Sequence, residues 1–338
     1  MKKAIVRGMV GVLAAFSLLT TAACGGGSGE PEKTPDAGAS ETGGSSEGPI
    51  VVGFSQVGAE SGWRAANTDS VKGSLTAENG FDLKFSDAQQ KQENQIQAIR
   101  SYIAQDVDVI AFSPVVESGW DAVLEEAKAA GIPVVLTDRA VDSKDDSLYE
   151  TFIGSDFVLE GKMAGDWVVE QYGDQDLKIV ELQGTTGAAP ANDRMSGFAD
   201  AIAGTPSFEI VASQTGNFTR TEGKQVMEGF LQAHKDIDLV FAHNDDMGLG
   251  AIEAIKAAGL VPGKDIKIVT VDAVKDGMEA LAAGEINFIV ECNPLFGPKL
   301  IDILKDVVAG NPVEKRTVIE DQSFDQEAAI KALPDRKY

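Results

Sequence analysis

Beyond Pro49 the chain alternates short, continuous apolar runs with longer stretches in which apolar residues recur at helical spacing. The runs predict strands over 50–55, 81–86, 107–113, 132–137, 177–182, 208–213, 239–242, 266–271 and 286–290. Between them the pattern predicts helices near 62–78, 89–105, 118–130, 157–172, 191–203, 220–234, 246–258, 274–283 and 295–309. Gly80, Gly131, Gly259 and Gly284 fall just past helix ends, where a left-handed cap is wanted. Continuous apolar strands separated by helices mean parallel sheets covered on both faces. Nine such units overfill one open sheet, so the pattern predicts an α/β fold of two doubly wound, Rossmann-like lobes. A TIM barrel, with its units closed in one ring, is the second choice.

The first 49 residues follow a different rule. Lys2, Lys3 and Arg7 precede an uncharged run over 8–23, shorter than the roughly 20 apolar residues a membrane span needs. Residues 1–23 therefore read as a signal peptide. The segment Leu18-Leu19-Thr20-Thr21-Ala22-Ala23-Cys24-Gly25 resembles a bacterial lipobox, with Thr21 where that pattern usually has Leu. The resemblance implies lipid modification of Cys24; a plain secretory signal with an incidental cysteine is the alternative. Residues 24–49 are rich in Gly, Ser and Pro and nearly devoid of apolar side chains. Such a segment buries too little surface to offset chain entropy, so it reads as a flexible tether. Gly44-Ser45-Ser46-Glu47-Gly48 matches a hydrolase elbow by letters only, because no strand precedes it and no helix follows.

Charge and composition narrow the function. The 338 residues carry 53 Asp and Glu against 29 Lys and Arg, a net charge of −24 that would repel a phosphate backbone and argues against nucleic acid as a partner. Cys24, Cys292, His234 and His243 are the whole supply of thiols and imidazoles, too few for a zinc cage. No metal site, cofactor or catalytic residue is expected, and neither a P-loop nor a dinucleotide fingerprint is present. Cys292 reads as a small buried hydrophobe, and His243 as a strand-end residue without catalytic duty.

In open α/β sheets ligands bind beyond the carboxyl ends of the strands. The residues found there are Glu60, Trp63 and Arg64 after the first strand, Asp138 and Arg139 after the fourth, then Asn244, Asp272 and Glu291. Asp193 and Arg194 open a later helix, and Phe218 follows a strand of the second half. Asp87, Ser113 and Asp156 are read as helix caps. Carboxylates accept from hydroxyls and guanidinium groups donate in a planar fork, a set that suits the vicinal hydroxyls of a polyol. Trp63 and Phe218 can cover the apolar face of a sugar. The blander alternatives are lobe packing for Trp63 and a surface charge for Arg194.

The blocks Val51-Val52-Gly53-Phe54-Ser55-Gln56-Val57-Gly58, Glu60-Ser61-Gly62-Trp63-Arg64 and Gln89-Gln90-Lys91-Gln92-Glu93-Asn94-Gln95 carry a resemblance. With Leu136-Thr137-Asp138-Arg139, Val180-Glu181-Leu182-Gln183-Gly184, Gly216-Asn217-Phe218-Thr219-Arg220 and Ala242-His243-Asn244-Asp245-Asp246-Met247, the chain resembles the galactofuranose binders within the ribose/galactose group of type I periplasmic binding proteins. That resemblance implies two lobes joined by a three-strand hinge, with 50–155 plus 292–311 in one and 156–291 plus 312–338 in the other. It implies a monomer outside the cytoplasm that captures a monosaccharide and delivers it to an ABC permease, to which the lipobox adds a lipid anchor on the outer face of the cell membrane. Glu60, Trp63, Arg64, Asp138 and Arg139 would be the first lobe's share of the site. Asp193, Arg194, Phe218, Asn244, Asp272 and Glu291 would be the second lobe's share or lie at the crossings. Asn192 stands where ribose binders commonly have Arg, which argues against ribose. A sensor subunit presenting its ligand to a receptor or kinase is the alternative function.

Overall fold

The structure, a computed structural model, describes residues 48–338. The expected signal peptide, Cys24 and the tether up to residue 47 lie outside the described residues. In chain order the elements are β1 (Ile50–Gln56), α1 (Gly62–Ser74), β2 (Phe81–Asp87), α2 (Gln92–Ala104), β3 (Val109–Phe112), α3 (Asp121–Ala129), β4 (Val134–Thr137) and β5 (Thr151–Gly154). Then come α4 (Phe157–Tyr172), β6 (Leu177–Gln183), α5 (Ala189–Ile202), β7 (Phe208–Thr215), α6 (Arg220–Ala233), β8 (Leu239–Ala242), α7 (Asp245–Ala257), β9 (Lys267–Asp272), α8 (Lys275–Ala282) and β10 (Phe288–Glu291). The chain finishes with α9 (Gly297–Val308), β11 (Arg316–Val318), β12 (Ser323–Phe324) and α10 (Gln326–Ala332).

These strands form two six-stranded sheets, ordered β11-β5-β4-β3-β1-β2 and β12-β10-β9-β8-β6-β7. Apart from the antiparallel β12 the pairings are parallel. Each sheet repeats the same doubly wound order, so each has a switch point, between β1 and β3 in one and between β6 and β8 in the other. The central strands are buried on both faces, with Val52, Phe54, Val109 and Ile110 in the first sheet and Leu239 to Ala242 in the second fully covered.

Three strands were not expected from the pattern: β5, β11 and β12. β5 is four residues ending in Gly, and the other two are short and mostly polar, so neither length nor hydrophobicity marks them. β11 also corrects the lobe boundaries. Residues 312–338 were expected in the second lobe, yet Arg316–Val318 pairs with β5 and extends the first sheet. The reason is an open edge: Phe152 N–H donates to the Lys315 carbonyl and Ile319 N–H to that of Gly154, so backbone groups of β5 find partners. The third passage between sheets therefore lies at 319–322 and not near Asn311. The other two lie at 155–156 and 292–296.

Candidate functional site

The carboxyl ends of both sheets face one cleft, enclosed by Glu60, Trp63, Arg64, Asp138, Arg139 and, from the other side, Arg194, Phe218, Asn244 and Asp272. Nine of the eleven residues expected at the site are thus brought together.

In the first lobe the organiser is Arg64. Ser61 caps α1 by accepting from Arg64 N–H at 3.1 Å, which sets the guanidinium at the mouth of β1. Its Nε donates to Glu60 Oε1 at 3.0 Å, Nη1 to Gln56 Oε1 at 3.1 Å and Nη2 to Asp138 Oδ2 at 2.7 Å. Burial opposes the charge, but Asp138 and Glu60 outweigh it and raise the Arg64 pKa above its ordinary value. Asp138 takes a left-handed backbone, φ 61°, and also accepts from Ser113 Oγ at 2.9 Å. Arg139 donates from Nη1 to the Val115 carbonyl at 3.1 Å. Burial and the neighbouring Arg64 bring its pKa down to about 10, so it remains charged at neutral pH. Two buried polar atoms here, Glu60 Oε2 and Arg139 Nε, have no hydrogen-bond partner.

In the second lobe Arg194 plays the matching part. Its Nε donates to Glu160 Oε2 and its Nη1 to the His243 carbonyl, both at 2.6 Å, while Nη2 stands 3.8 Å from Asp272 Oδ1. Burial pushes the Asp272 carboxyl well above the usual carboxylate range. Asn244 caps α7 through Oδ1 and donates from Nδ2 to the Phe218 carbonyl at 3.1 Å, fixing the loop that carries that ring. Phe218 lies over Gly184, where a Cβ would come within 1.9 Å of the ring, so only glycine admits it. The His243 imidazole pairs with Glu181 behind the cleft at 3.0 Å, and burial lowers its pKa, leaving it neutral.

The lobes are closed on one another. Gly62 N–H donates to Asp246 Oδ2 at 2.7 Å, Glu117 N–H to the Gly187 carbonyl at 2.9 Å, and Asn192 Nδ2 to Glu117 Oε2 at 2.5 Å. The Arg139 guanidinium lies 5.3 Å from the Phe218 ring centroid across the cleft. Trp63 Nε1 donates to the Cys292 carbonyl at 2.6 Å, so the indole packs against the second crossing.

Two expected site residues do not line the cleft. Asp193 is one helical position from Arg194, a rotation of about 100° that turns it half-buried away from the cleft. Glu291 precedes Cys292 at a strand end, and alternation sends the Cys292 side chain to the cleft and Glu291 to the opposite face. There Glu291 Oε1 accepts from Arg336 Nη1 at 2.8 Å and from Tyr338 Oη at 2.7 Å. Sequence reasoning missed Phe157, Pro190 and Cys292 in the wall. Phe157 and Pro190 stand in the first turns of α4 and α5 and carry no polar signal, and Cys292 enters the wall only because it begins the second crossing.

Residues 52–312 match the periplasmic binding protein domain family. The chain is 50% identical over 293 residues to the galactofuranose-binding protein YtfQ of Escherichia coli K12, covering 86% of this chain and 92% of that one. A crystal structure from Mycobacterium smegmatis in complex with β-D-fucofuranose is 62% identical and superposes with a TM-score of 0.83, covering 85% of this chain and 94% of that one. A second structure from the same organism, 60% identical and matched over 85% and 95% of the two chains, superposes at only 0.66. The chain belongs to the periplasmic binding protein family and is a solute-binding protein of two α/β lobes, not an enzyme.

Proposed function

We propose that this protein captures a single monosaccharide outside the cytoplasm, in a furanose ring form, and delivers it to an ABC permease. The observation that carries this reading is the pair of orphaned atoms in the cleft, Glu60 Oε2 and Arg139 Nε. A buried acceptor and a buried donor without partners are costly unless a ligand supplies both hydrogen-bond roles, as a hydroxylated ring does. The Trp63 and Phe218 rings offer apolar faces to the C–H side of such a ring. Relatives that bind galactofuranose and fucofuranose support the furanose form.

Binding is read as closure about the three crossings. The ligand set is divided between lobes, and only a ligand that touches both binds the closed form better. Two relatives of nearly equal identity superpose very differently, which supports two lobe arrangements in such chains. The protein acts as a monomer held to the outer face of the membrane by lipid on Cys24, the 24–49 segment being the tether.

A thermal-shift and calorimetry screen over D-galactose, D-fucose, L-arabinose and D-ribose, each at its ring-form equilibrium, tests the reading. Tight binding is expected for one of the first three with a stoichiometry of one. Binding of none of the four sugars would overturn it.

A further inference from the structure

Behind the cleft wall, Glu160 is the buried carboxyl that ligand contact leaves unexplained. It lies in the first turn of α4, 1% exposed, and does not line the cleft. Oε2 accepts from Arg194 Nε at 2.6 Å, while Oε1 has no hydrogen-bond partner. Burial pushes this carboxyl up to about 8 even though Arg194 pulls the other way. A group held at such cost usually holds something else in place.

The backbone is shaped to make the contact. A Cβ on Gly161 would sit 2.2 Å from the Arg194 carbonyl oxygen, and one on Gly197 would sit 2.1 Å from that of Val158. Helices α4 and α5 therefore touch backbone to backbone at the level where Glu160 meets Arg194. With Nε given to Glu160 and Nη1 to the His243 carbonyl, two edges of the guanidinium are occupied from within the lobe. Nη2 makes no hydrogen bond among the described residues and is 3.8 Å from Asp272 Oδ1. In the other lobe, by contrast, all three nitrogens of Arg64 are bonded to protein. Arg194, like Arg139 in the other lobe, thus has a donor to spare, and its planar fork is oriented by Glu160.

We infer that Glu160 is a positioning residue for sugar binding, one that never touches the ligand but fixes the Arg194 fork so that Nη2 faces it. The inference rests on the sugar-binding reading above. Calorimetry with D-galactose, D-fucose and L-arabinose on the unmodified protein tests that reading by itself, before any variant is compared. The same titrations on Glu160→Ala, Glu160→Gln, Arg194→Ala and the Glu160→Ala/Arg194→Ala pair test Glu160. Glu160→Ala is expected to weaken binding at least about tenfold, the scale of a lost charge-assisted contact. Glu160→Gln keeps an acceptor for Nε and restores affinity to within about threefold. In the Arg194→Ala background, Glu160→Ala has no further effect on affinity. In ligand-free protein, the Arg194 Nε–H resonance shifts in Glu160→Ala and holds its place in Glu160→Gln, a readout that needs no sugar. Melting that falls in Glu160→Ala while affinity stays unchanged, or losses that add in full with Arg194→Ala, would overturn the inference. Should Glu160→Ala fail to fold, Glu160→Asp withdraws the carboxylate by one methylene, and unchanged affinity in that variant overturns the inference equally.

Discussion

The backbone N–H of Gly62 donates to Oδ2 of Asp246 at 2.7 Å, joining the first turn of α1 in one lobe to the first turn of α7 in the other. Both residues stand at helix starts beside the cleft, so the bond exists only when the lobes are shut. Asp246 Oδ1 is meanwhile within 3.2 Å of Arg220 Nε, which steadies the carboxylate from its own lobe.

Removing that link should shift the balance of lobe positions. Asp246→Ala is expected to weaken sugar binding by about 1 kcal/mol, roughly fivefold, the net worth of one partly exposed hydrogen bond. Small-angle scattering of the ligand-free variant should report a larger radius of gyration than the parent. Identical scattering and identical affinity would show that the bond does not favour closure.

The Arg64 cluster should matter for folding as well as for binding. Arg64 is 2% exposed and bonded to Glu60, Gln56 and Asp138, so Arg64→Ala strands two buried carboxylates. Breaking such a cluster costs about 3–5 kcal/mol of stability. Asp145, by comparison, is exposed on its loop, and Asp145→Asn should change stability by less than about 0.5 kcal/mol. Urea titration of the two variants, with calorimetry alongside, checks the contrast.

Acidity should act through the third crossing. Asp321 accepts from Asn293 N–H at 2.9 Å, tying that crossing to the second, and burial pushes its carboxyl up to about 6. Its folded pKa is raised, so its contribution is fully present below the unfolded pKa near 4 and is lost as pH rises through about 6. The melting temperature of the parent relative to Asp321→Asn should therefore fall between about pH 4 and pH 6 and be flat above. A difference that instead grows with pH over that window would contradict the assignment.

The close helix pair in the second lobe offers a packing test. Gly161→Ala places a Cβ 2.2 Å from the Arg194 carbonyl oxygen, so α4 and α5 must separate. Overpacking of this kind costs about 1–3 kcal/mol, and the same displacement should lower sugar affinity because Arg194 moves with α5. Denaturant unfolding and calorimetry on one preparation would report both losses; a loss of neither speaks against so tight a contact.

Membrane attachment is tested at Cys24. Mass spectrometry of detergent-extracted protein should find a diacylated peptide beginning at Cys24, and Cys24→Ser should release the protein to the soluble fraction. An unmodified mature chain starting elsewhere would exclude the lipid anchor.

The alternation of apolar runs and amphipathic stretches was enough to foresee two doubly wound lobes, because parallel strands buried on both faces must be apolar along their whole length. Residues such as Arg64, Asp138, Arg139 and Asn244 were legible for a related reason: they stand directly after such strands, where α/β sheets collect ligands. The leader, Cys24 and the tether are argued from sequence alone. Side-chain direction was not legible. Whether Glu291 or Cys292 faces the cleft depends on the alternation phase at a strand end, and whether Asp193 or Arg194 does so depends on how α5 is rotated against its sheet. Glu160 could not be found either, since an acidic residue in a helix's first turn is ordinary until α4 meets α5 through Gly161 and Gly197. β11 lacks any hydrophobic signature and is a strand only because β5 presents it an open edge. Local pattern reports which surfaces must be buried, but partners distant in sequence are chosen by packing, and it was packing that decided these contacts.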